Sequence, residues 1–318
     1  MTDRLILLAT SPRLPAGLLS RQGWQVLQSA PVYAGADTAQ VAAVRASGVE
    51  VTVLTGDPPG QAREFRDRAR DGSAVWLGGP DGDPEFARAL GHLVARESGG
   101  AELELVHGSW DPPGAALLSA VEVMDRLRSP GGCPWDAEQT HESLMPYLLE
   151  EAYEAYAALE DGDLDELQEE LGDVLLQVLF HARLAEELPD DERWSIDDVA
   201  AGLVAKLIRR HPHVFGDTTV SGAAEVHANW DAIKVAEKAR TSVTDGVGMG
   251  QPALTLAATL LRQAAKAGVE VDLPAGPDLG DRLLALVAEA REQGRDPEVE
   301  LRTVARELRD RIVAAERA

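Results

Sequence analysis

Strand-like runs are confined to the first third of this sequence, and that restriction divides the chain more sharply than any other feature. LILLA (5–9), VEVTVL (49–54), SAVWLG (73–78) and AELELV (101–106) carry the dense aliphatic and β-branched pattern of strands. The stretches around 38–47, 61–70 and 84–97 read as helices between them. Strand alternating with helix predicts a small α/β layer domain over residues 1–110. DPPGAA (111–116) then suits neither helix nor ladder, because two prolines and a glycine interrupt both. Beyond it only helical signals remain, so the expected fold class is multidomain: the α/β domain, an all-α four-helix bundle over 115–240 and a C-terminal helical segment over 253–318.

Helix-start and helix-stop residues subdivide the middle segment. VEVMDRLR (121–128) reads as a short helix closed by SPGG, and Asp136 with Gln139 reads as a capping box. Ser143 is the expected N-cap of the next helix, which puts Pro146 in the first turn, where a missing N–H costs nothing. That helix should stop at Asp161-Gly162, and Asp163 should cap a longer one running to about Glu187. Ser195 opens a third helix ending at the His211-Pro212 break, and Ser221 a fourth running to about Arg240. His211 and His213 are expected to shape that helix end rather than to ligate a metal. TSVTDGVGMGQP (241–252) reads as a flexible connection.

Between residues 142 and 192 there are seventeen acids and one base, Arg183. A plain charge run is usually a solvated face, but helical phase gives this one a second meaning. At about 100° per residue, Leu148, Ala152, Ala155 and Leu159 form the expected buried stripe of the first helix, with Glu151 and Glu154 beside it and Glu150 nearly opposite. On the second helix the stripe is Leu167, Leu171, Val174 and Val178, with Glu170 and Asp173 alongside and Glu169 pointing away. Each helix thus offers two carboxylates at i,i+3 spacing, and antiparallel packing would bring all four together. Four such groups repel unless a cation sits among them, and oxygen-only ligands select the hard ions Mg²⁺ or Mn²⁺. A di-iron bundle needs two helical Glu-x-x-His pairs. Glu104–His107 falls in a strand-like run and Glu138–His141 in a loop, so that alternative fails.

Composition removes other classes. Fifty-four acids against thirty bases leave a formal charge of −24, the wrong sign for sequence-independent binding of nucleic acid. No apolar run is long enough to span a membrane, and the opening MTDRLILLATSPR is too short in apolar residues for a signal peptide. The single cysteine, Cys133, fits a reducing, cytoplasmic setting and is expected to pack structurally.

EEAYE (150–154) followed by EELGD (169–173) resembles the Glu-x-x-Glu…Glu-x-x-Asp signature of the MazG nucleoside triphosphate pyrophosphohydrolases. GCPWDAEQTHESL (132–144) before it, and KLIRRHPHVFGD (206–217) and NWDAIKVAEK (229–238) after it, are similar to that family's flanking motifs. The resemblance implies Mg²⁺-dependent hydrolysis of a nucleoside triphosphate to the monophosphate and pyrophosphate, with Glu151, Glu154, Glu170 and Asp173 as metal ligands. It further implies that Lys206, Arg210 and Lys234 hold the triphosphate and that Trp230 stacks on the base. Three of the four lysines of the chain, 206, 234 and 238, lie in this stretch, a local cationic cluster in an otherwise acidic protein. A carboxylate outside the metal set, Glu150 among the choices, would orient the water, and the residues leave that choice open. The family resemblance also implies a homodimer and a role in clearing aberrant nucleotides. The same bundle acting on another phosphoanhydride (a pyrimidine triphosphate, a phosphoribosyl nucleotide or an alarmone) is the nearer alternative, and a non-catalytic acidic scaffold the further one.

The flanking segments add less. LGDVLLQVLFHAR (171–183) aligns without gaps to LGDRLLALVAEAR (279–291), with seven identities in thirteen positions. The second copy keeps Asp281 but has Asp278 where the first has Glu170, and no Glu-x-x-Glu precedes it. It is therefore expected to be a degenerate, catalytically silent repeat that serves packing or oligomerisation. Residues 1–110 resemble a reduced tetrapyrrole-methylase domain. LLATSPRLPAG stands where that family's glycine-rich cofactor loop is expected, so S-adenosylmethionine binding is not expected, and the role of the domain is not set by the sequence.

Overall fold

In the computed structural model the described residues are 4–70, 72–96, 101–223, 225–226, 229–230, 233, 242–274 and 276–317. The chain divides into two compact units, Met1–Ala201 and Gly202–Ala318.

The first unit opens with a parallel five-stranded sheet. Strands β1 (Arg4–Ala9), β2 (Val32–Ala34), β3 (Val51–Val53), β4 (Ser73–Leu77) and β5 (Glu102–His107) lie in the order β3-β2-β4-β1-β5. Helices α1 (Arg21–Leu27), α2 (Ala39–Ala46), α3 (Pro58–Arg68) and α4 (Pro84–Arg96) connect them. The chain moves toward one edge through β2 and β3, then back across the sheet to β4 and β5. Right-handed crossovers therefore put α1 and α2 on one face and α3 and α4 on the other. Side-chain alternation fills both layers. Ile6, Leu8, Val75 and Leu77 pack with Leu27, Val41 and Val44, whereas Leu5, Ala74 and Trp76 pack with Ala62, Phe65, Phe86 and Leu90.

Two elements of this domain have no counterpart in the sequence reading. Strand β2 has only three residues, too few to show a period, yet its neighbours on both sides bury Val32, Tyr33 and Ala34. Helix α1 is a seven-residue helix capped by Ser20, whose Oγ accepts from the Gly23 N–H at 3.1 Å. After β1, Ser11 and Arg13 both engage Asp111, and Arg13 Nε donates to Ser119 Oγ at 2.8 Å. The loop at the position of a cofactor loop thus ties the sheet to the helix that follows it.

That helix is α5 (Ala116–Arg128), followed by α6 (Pro134–Glu138), α7 (His141–Asp161), α8 (Leu164–Ala185) and α9 (Ile196–Arg210). The start of α7 corrects the expected cap. Thr140 is the N-cap, and Ser143 occupies the third helical position. The Ser143 N–H donates to Thr140 Oγ1 at 3.2 Å, and the Thr140 N–H donates to Ser143 Oγ at 2.9 Å. A capping box that closes two backbone donors reciprocally outcompetes a lone serine cap. It moves Pro146 into the second turn, where its ring removes the bond to the Glu142 carbonyl. Asp136 and Gln139 form no capping box, since Asp136 lies in the first turn of α6 and Gln139 is its C-cap. Gly162, at φ +70°, ends α7, and Asp163 caps α8 through the amides of Asp165 and Glu166, as expected. Thr140→Ala should lower stability by about 1 kcal/mol in denaturant unfolding, the usual worth of an N-cap hydroxyl. An unchanged midpoint would show that Ser143 and water replace it.

The two-residue link makes α7 and α8 an antiparallel hairpin. Its contact face keeps only part of the expected stripes, with Ala155 buried and Leu167 and Val174 half-buried. Ala155 and Ala158 are buried on α7, and Glu170, Gln177, Phe180 and Ala182 on α8. Leu148, Leu159 and Leu171 are 40%, 61% and 53% exposed, and Ala152 is exposed as well. Alanines let two helices approach closely, so the small residues set the seam and Leu148, Leu159 and Leu171 are left outward. Met124, Leu144, Leu179, Phe180 and Leu184 form the apolar core where α5 meets α7 and α8. Arg183, the lone base of the acidic stretch, donates to Asp125 at 2.8 Å and Glu187 at 3.1 Å. Arg128, itself buried, grips Glu187 at 2.8 and 2.9 Å. These pairs lock α5 to the end of α8.

In the second unit, α10 (Pro212–Phe215) follows α9, and the helix expected from Ser221 falls largely outside the described residues. Helices α11 (Ala253–Lys266), α12 (Leu279–Glu292) and α13 (Pro297–Glu316) close the chain. The Leu-Gly-Asp triplet lies in the middle of α8 but opens α12. Among the described residues no helix is long and apolar enough to cross a membrane.

Candidate functional site

Glu151 and Glu154 project from α7 one turn apart, and Glu170 stands opposite on α8. One carboxylate oxygen from each lies within 4.8 Å of the other two. Their surroundings differ. Glu170 is buried, Glu151 half-buried and Glu154 exposed. The Oε2 atom of Glu170 is shielded from solvent and has no hydrogen-bond partner. A buried acceptor left in that state costs about 1–3 kcal/mol, so it marks a place where a donor or cation belongs.

The electrostatics agree. Burial pushes the Glu170 carboxyl up, and the charges of Glu154, Glu166, Asp173 and Glu151 add to the shift. Glu151 is raised by burial first, then by Asp173, Glu154 and Glu150, with a hydrogen bond to Glu154 contributing. Asp173, half-buried one turn beyond Glu170, therefore acts electrostatically on both glutamates but stands outside the tight triad. Glu150 is exposed beside Glu151. Carboxylates are hard oxygen donors, so the set fits Mg²⁺ or Mn²⁺ better than a soft metal.

A raised glutamate favours the fold while it carries its proton and loses that contribution as pH rises through its folded-state value. In chelator at neutral pH, Glu170→Gln should therefore melt above the native protein. The gap should narrow on mild acidification, as the native Glu170 takes up a proton. Added Mg²⁺ should stabilise only the native chain. A variant that melts below the native chain in chelator at neutral pH would contradict the cost that burial, and then the neighbouring charges, put on the ionised Glu170.

The remaining predicted residues lie in the second unit or outside the described residues. Lys206 is exposed and Arg210 half-buried, one turn apart on α9. Trp230 is half-buried and meets the His211 ring edge-on at 5.0 Å. His211 Nδ1 lies 2.6 Å from the Leu207 carbonyl at the end of α9. Lys234 lies outside the described residues. The sequence reading missed Gln177, which is 4% exposed with its Oε1 unpartnered. It continues the Glu170–Asp173 face of α8 at i+7 and i+4, a spacing that could have flagged it. It also missed the His141–His181 pair, whose Nδ1 atoms are 2.8 Å apart across nearly parallel rings. Two histidines forty residues apart give no local signal.

Comparison with known proteins bears on this region. The family described as the MazG nucleotide pyrophosphohydrolase domain matches residues 139–215. An uncharacterised 26.1 kDa protein in the blaB 3′ region of Streptomyces cacaoi is 52% identical over 241 residues, covering 74% of this chain and 98% of that protein. A nucleoside triphosphate pyrophosphohydrolase of Mycobacterium tuberculosis is 43% identical over 226 residues, covering 71% of this chain and 65% of its own. A nucleoside triphosphate pyrophosphohydrolase/pyrophosphatase MazG of Thermotoga maritima is 38% identical over 223 residues, covering 63% and 85%.

Proposed function

This chain belongs to the MazG family of nucleoside triphosphate pyrophosphohydrolases, hydrolases acting on phosphoanhydrides, and we propose that it cleaves nucleoside triphosphates between the α and β phosphorus atoms in a reaction that depends on Mg²⁺ or Mn²⁺. The observation that carries this reading is the convergence of Glu151, Glu154 and Glu170, with a buried orphan oxygen on Glu170, inside the segment that matches the family.

In this reading Glu151, Glu154, Glu170 and Asp173 hold the divalent ion. When bound, such an ion polarises phosphoryl oxygens and offsets charge developing on them. The chain's own groups do the rest. A carboxylate outside the metal set, with Glu150 the named choice, accepts a hydrogen bond from the attacking water and takes its proton. The water oxygen bonds to the α phosphorus, the bond from that phosphorus to the bridging oxygen breaks, and pyrophosphate leaves. Lys206, Arg210 and Lys234 neutralise the leaving group, and Trp230 stacks on the base. Lys206→Ala should lower kcat/KM about ten-fold, a loss of roughly 1.4 kcal/mol in transition-state stabilisation, as read by steady-state kinetics.

Hydrolysis in ¹⁸O-labelled water tests the bond cleaved. Label in the nucleoside monophosphate supports attack at the α phosphorus, and label in the pyrophosphate or orthophosphate would overturn it.

The wider picture belongs to the same proposal. The catalytic four-helix bundle spans 115–240, following the α/β domain of 1–110. The segment 253–318 is a degenerate repeat without catalytic function. The outward leucines of α7 and α8 support a homodimer in which a second copy covers them. The cellular role is clearance of aberrant nucleotides in the cytoplasm.

A further inference from the structure

The C-terminal unit contains a cleft of about 440 Å³ that the proposed reaction does not use. Its wall carries Arg262, Arg291 and Arg295 together with Thr255 and Thr259, and the Thr255 hydroxyl donates to Glu298 Oε2 at 3.4 Å. None of these residues belongs to the acidic cluster. Thr255, Thr259 and Arg262 recur at i, i+4 and i+7, so they share one face of α11. Arg291 comes from the last turn of α12, and Arg295 from the turn before α13.

Three guanidinium groups around one cleft stand out in a chain with a formal charge of −24. Carboxylates abound, yet Arg262 and Arg291 pair with none among the described residues. Arg295 is engaged by Glu300, its Nε 2.8 Å from Oε1. The one acid lining the cleft, Asp296, is occupied in capping α13, its Oδ1 accepting from the Glu298 and Val299 amides at 2.9 and 3.4 Å. Arg262 and Arg291, left without such a partner at one cleft, repel each other, and an anion relieves the repulsion.

We infer that this cleft is a binding site for a polyphosphate anion. Guanidinium groups grip phosphate oxygens in forked pairs, and threonine hydroxyls donate to the same oxygens. The volume lies within the range of small-molecule pockets and exceeds what one orthophosphate fills. Pyrophosphate and the phosphate chain of a nucleotide share this chemistry, so the test distinguishes them.

Calorimetric titration of the full chain carrying Lys206→Ala and Arg210→Ala, in chelator, with inorganic pyrophosphate and separately with ATP, reads the cleft with no metal at the acidic cluster and with the triphosphate contacts of α9 removed. Saturable binding is expected, weakened about ten-fold or more in the double variant Arg262→Gln/Arg291→Gln. Glu154→Gln should bind as the native chain does. Binding of pyrophosphate supports recognition of the phosphates alone, and binding of ATP without pyrophosphate supports recognition of the nucleoside as well. Should the double variant fail to fold, Arg262→Gln alone is read in the same way. No saturable binding of either probe, binding that the folded double variant retains, or equal affinity for sulfate at matched ionic strength would overturn the site.

Discussion

Glu154→Ala is expected to lower the turnover of a nucleoside triphosphate by about a thousand-fold or more while leaving helical content unchanged. The magnitude follows from losing several kcal/mol of metal-derived stabilisation, at about 1.4 kcal/mol for each factor of ten. The unchanged fold follows from position. Glu154 is exposed on α7, so its removal opens no cavity and relieves repulsion on Glu170 and Glu151. Asp173→Ala should behave similarly, because its charge acts on the same two glutamates. Steady-state kinetics paired with far-UV circular dichroism reads both effects. Native turnover in a folded Glu154→Ala protein would remove the metal assignment.

The largest effect on stability is expected at Phe65. Its ring is fully buried and meets Tyr33, Trp76 and Phe86 edge-on, with centroids 5.8, 5.6 and 5.8 Å away. Trp76 and Phe86 also stack at 3.5 Å, and Trp76 Nε1 donates to Asp83 Oδ2 at 2.8 Å. Phe65→Ala leaves a cavity in the middle of this cluster and should destabilise the sheet by about 3–5 kcal/mol. Denaturant unfolding followed by near-UV circular dichroism measures it, since Trp76, one of the chain's six tryptophans, is held rigidly in the cluster. A loss below about 1 kcal/mol would mean that the three remaining rings collapse onto the space.

The sequence was most readable where a residue type has one physical use. Asp163 is a capping residue and Gly162 a turn residue, so the turn between α7 and α8 is legible to within a residue or two, whereas the start of α7 lies three residues before the expected cap. The i,i+3 spacing of Glu151 with Glu154 likewise located the acidic cluster, because helical geometry fixes which side chains share a face. What was not readable depended on contacts. Strand β2 exists because β3 and β4 flank it, and three residues carry no period of their own. The predicted stripes on α7 and α8 assumed that leucines turn inward. Of the α7 stripe Ala155 alone is buried, joined by Ala158, because close approach depends on small side chains rather than on the most apolar ones. Gln177 and the His141–His181 pair acquire meaning only once the helices are packed.

Metal-dependent cleavage at one anhydride is tested most directly by the product pair formed from a deoxynucleoside triphosphate by the full chain with Mg²⁺ and with chelator. Monophosphate and pyrophosphate in equal amounts, formed only with the metal, are the predicted result. Diphosphate with orthophosphate, or turnover that persists in chelator, would contradict it.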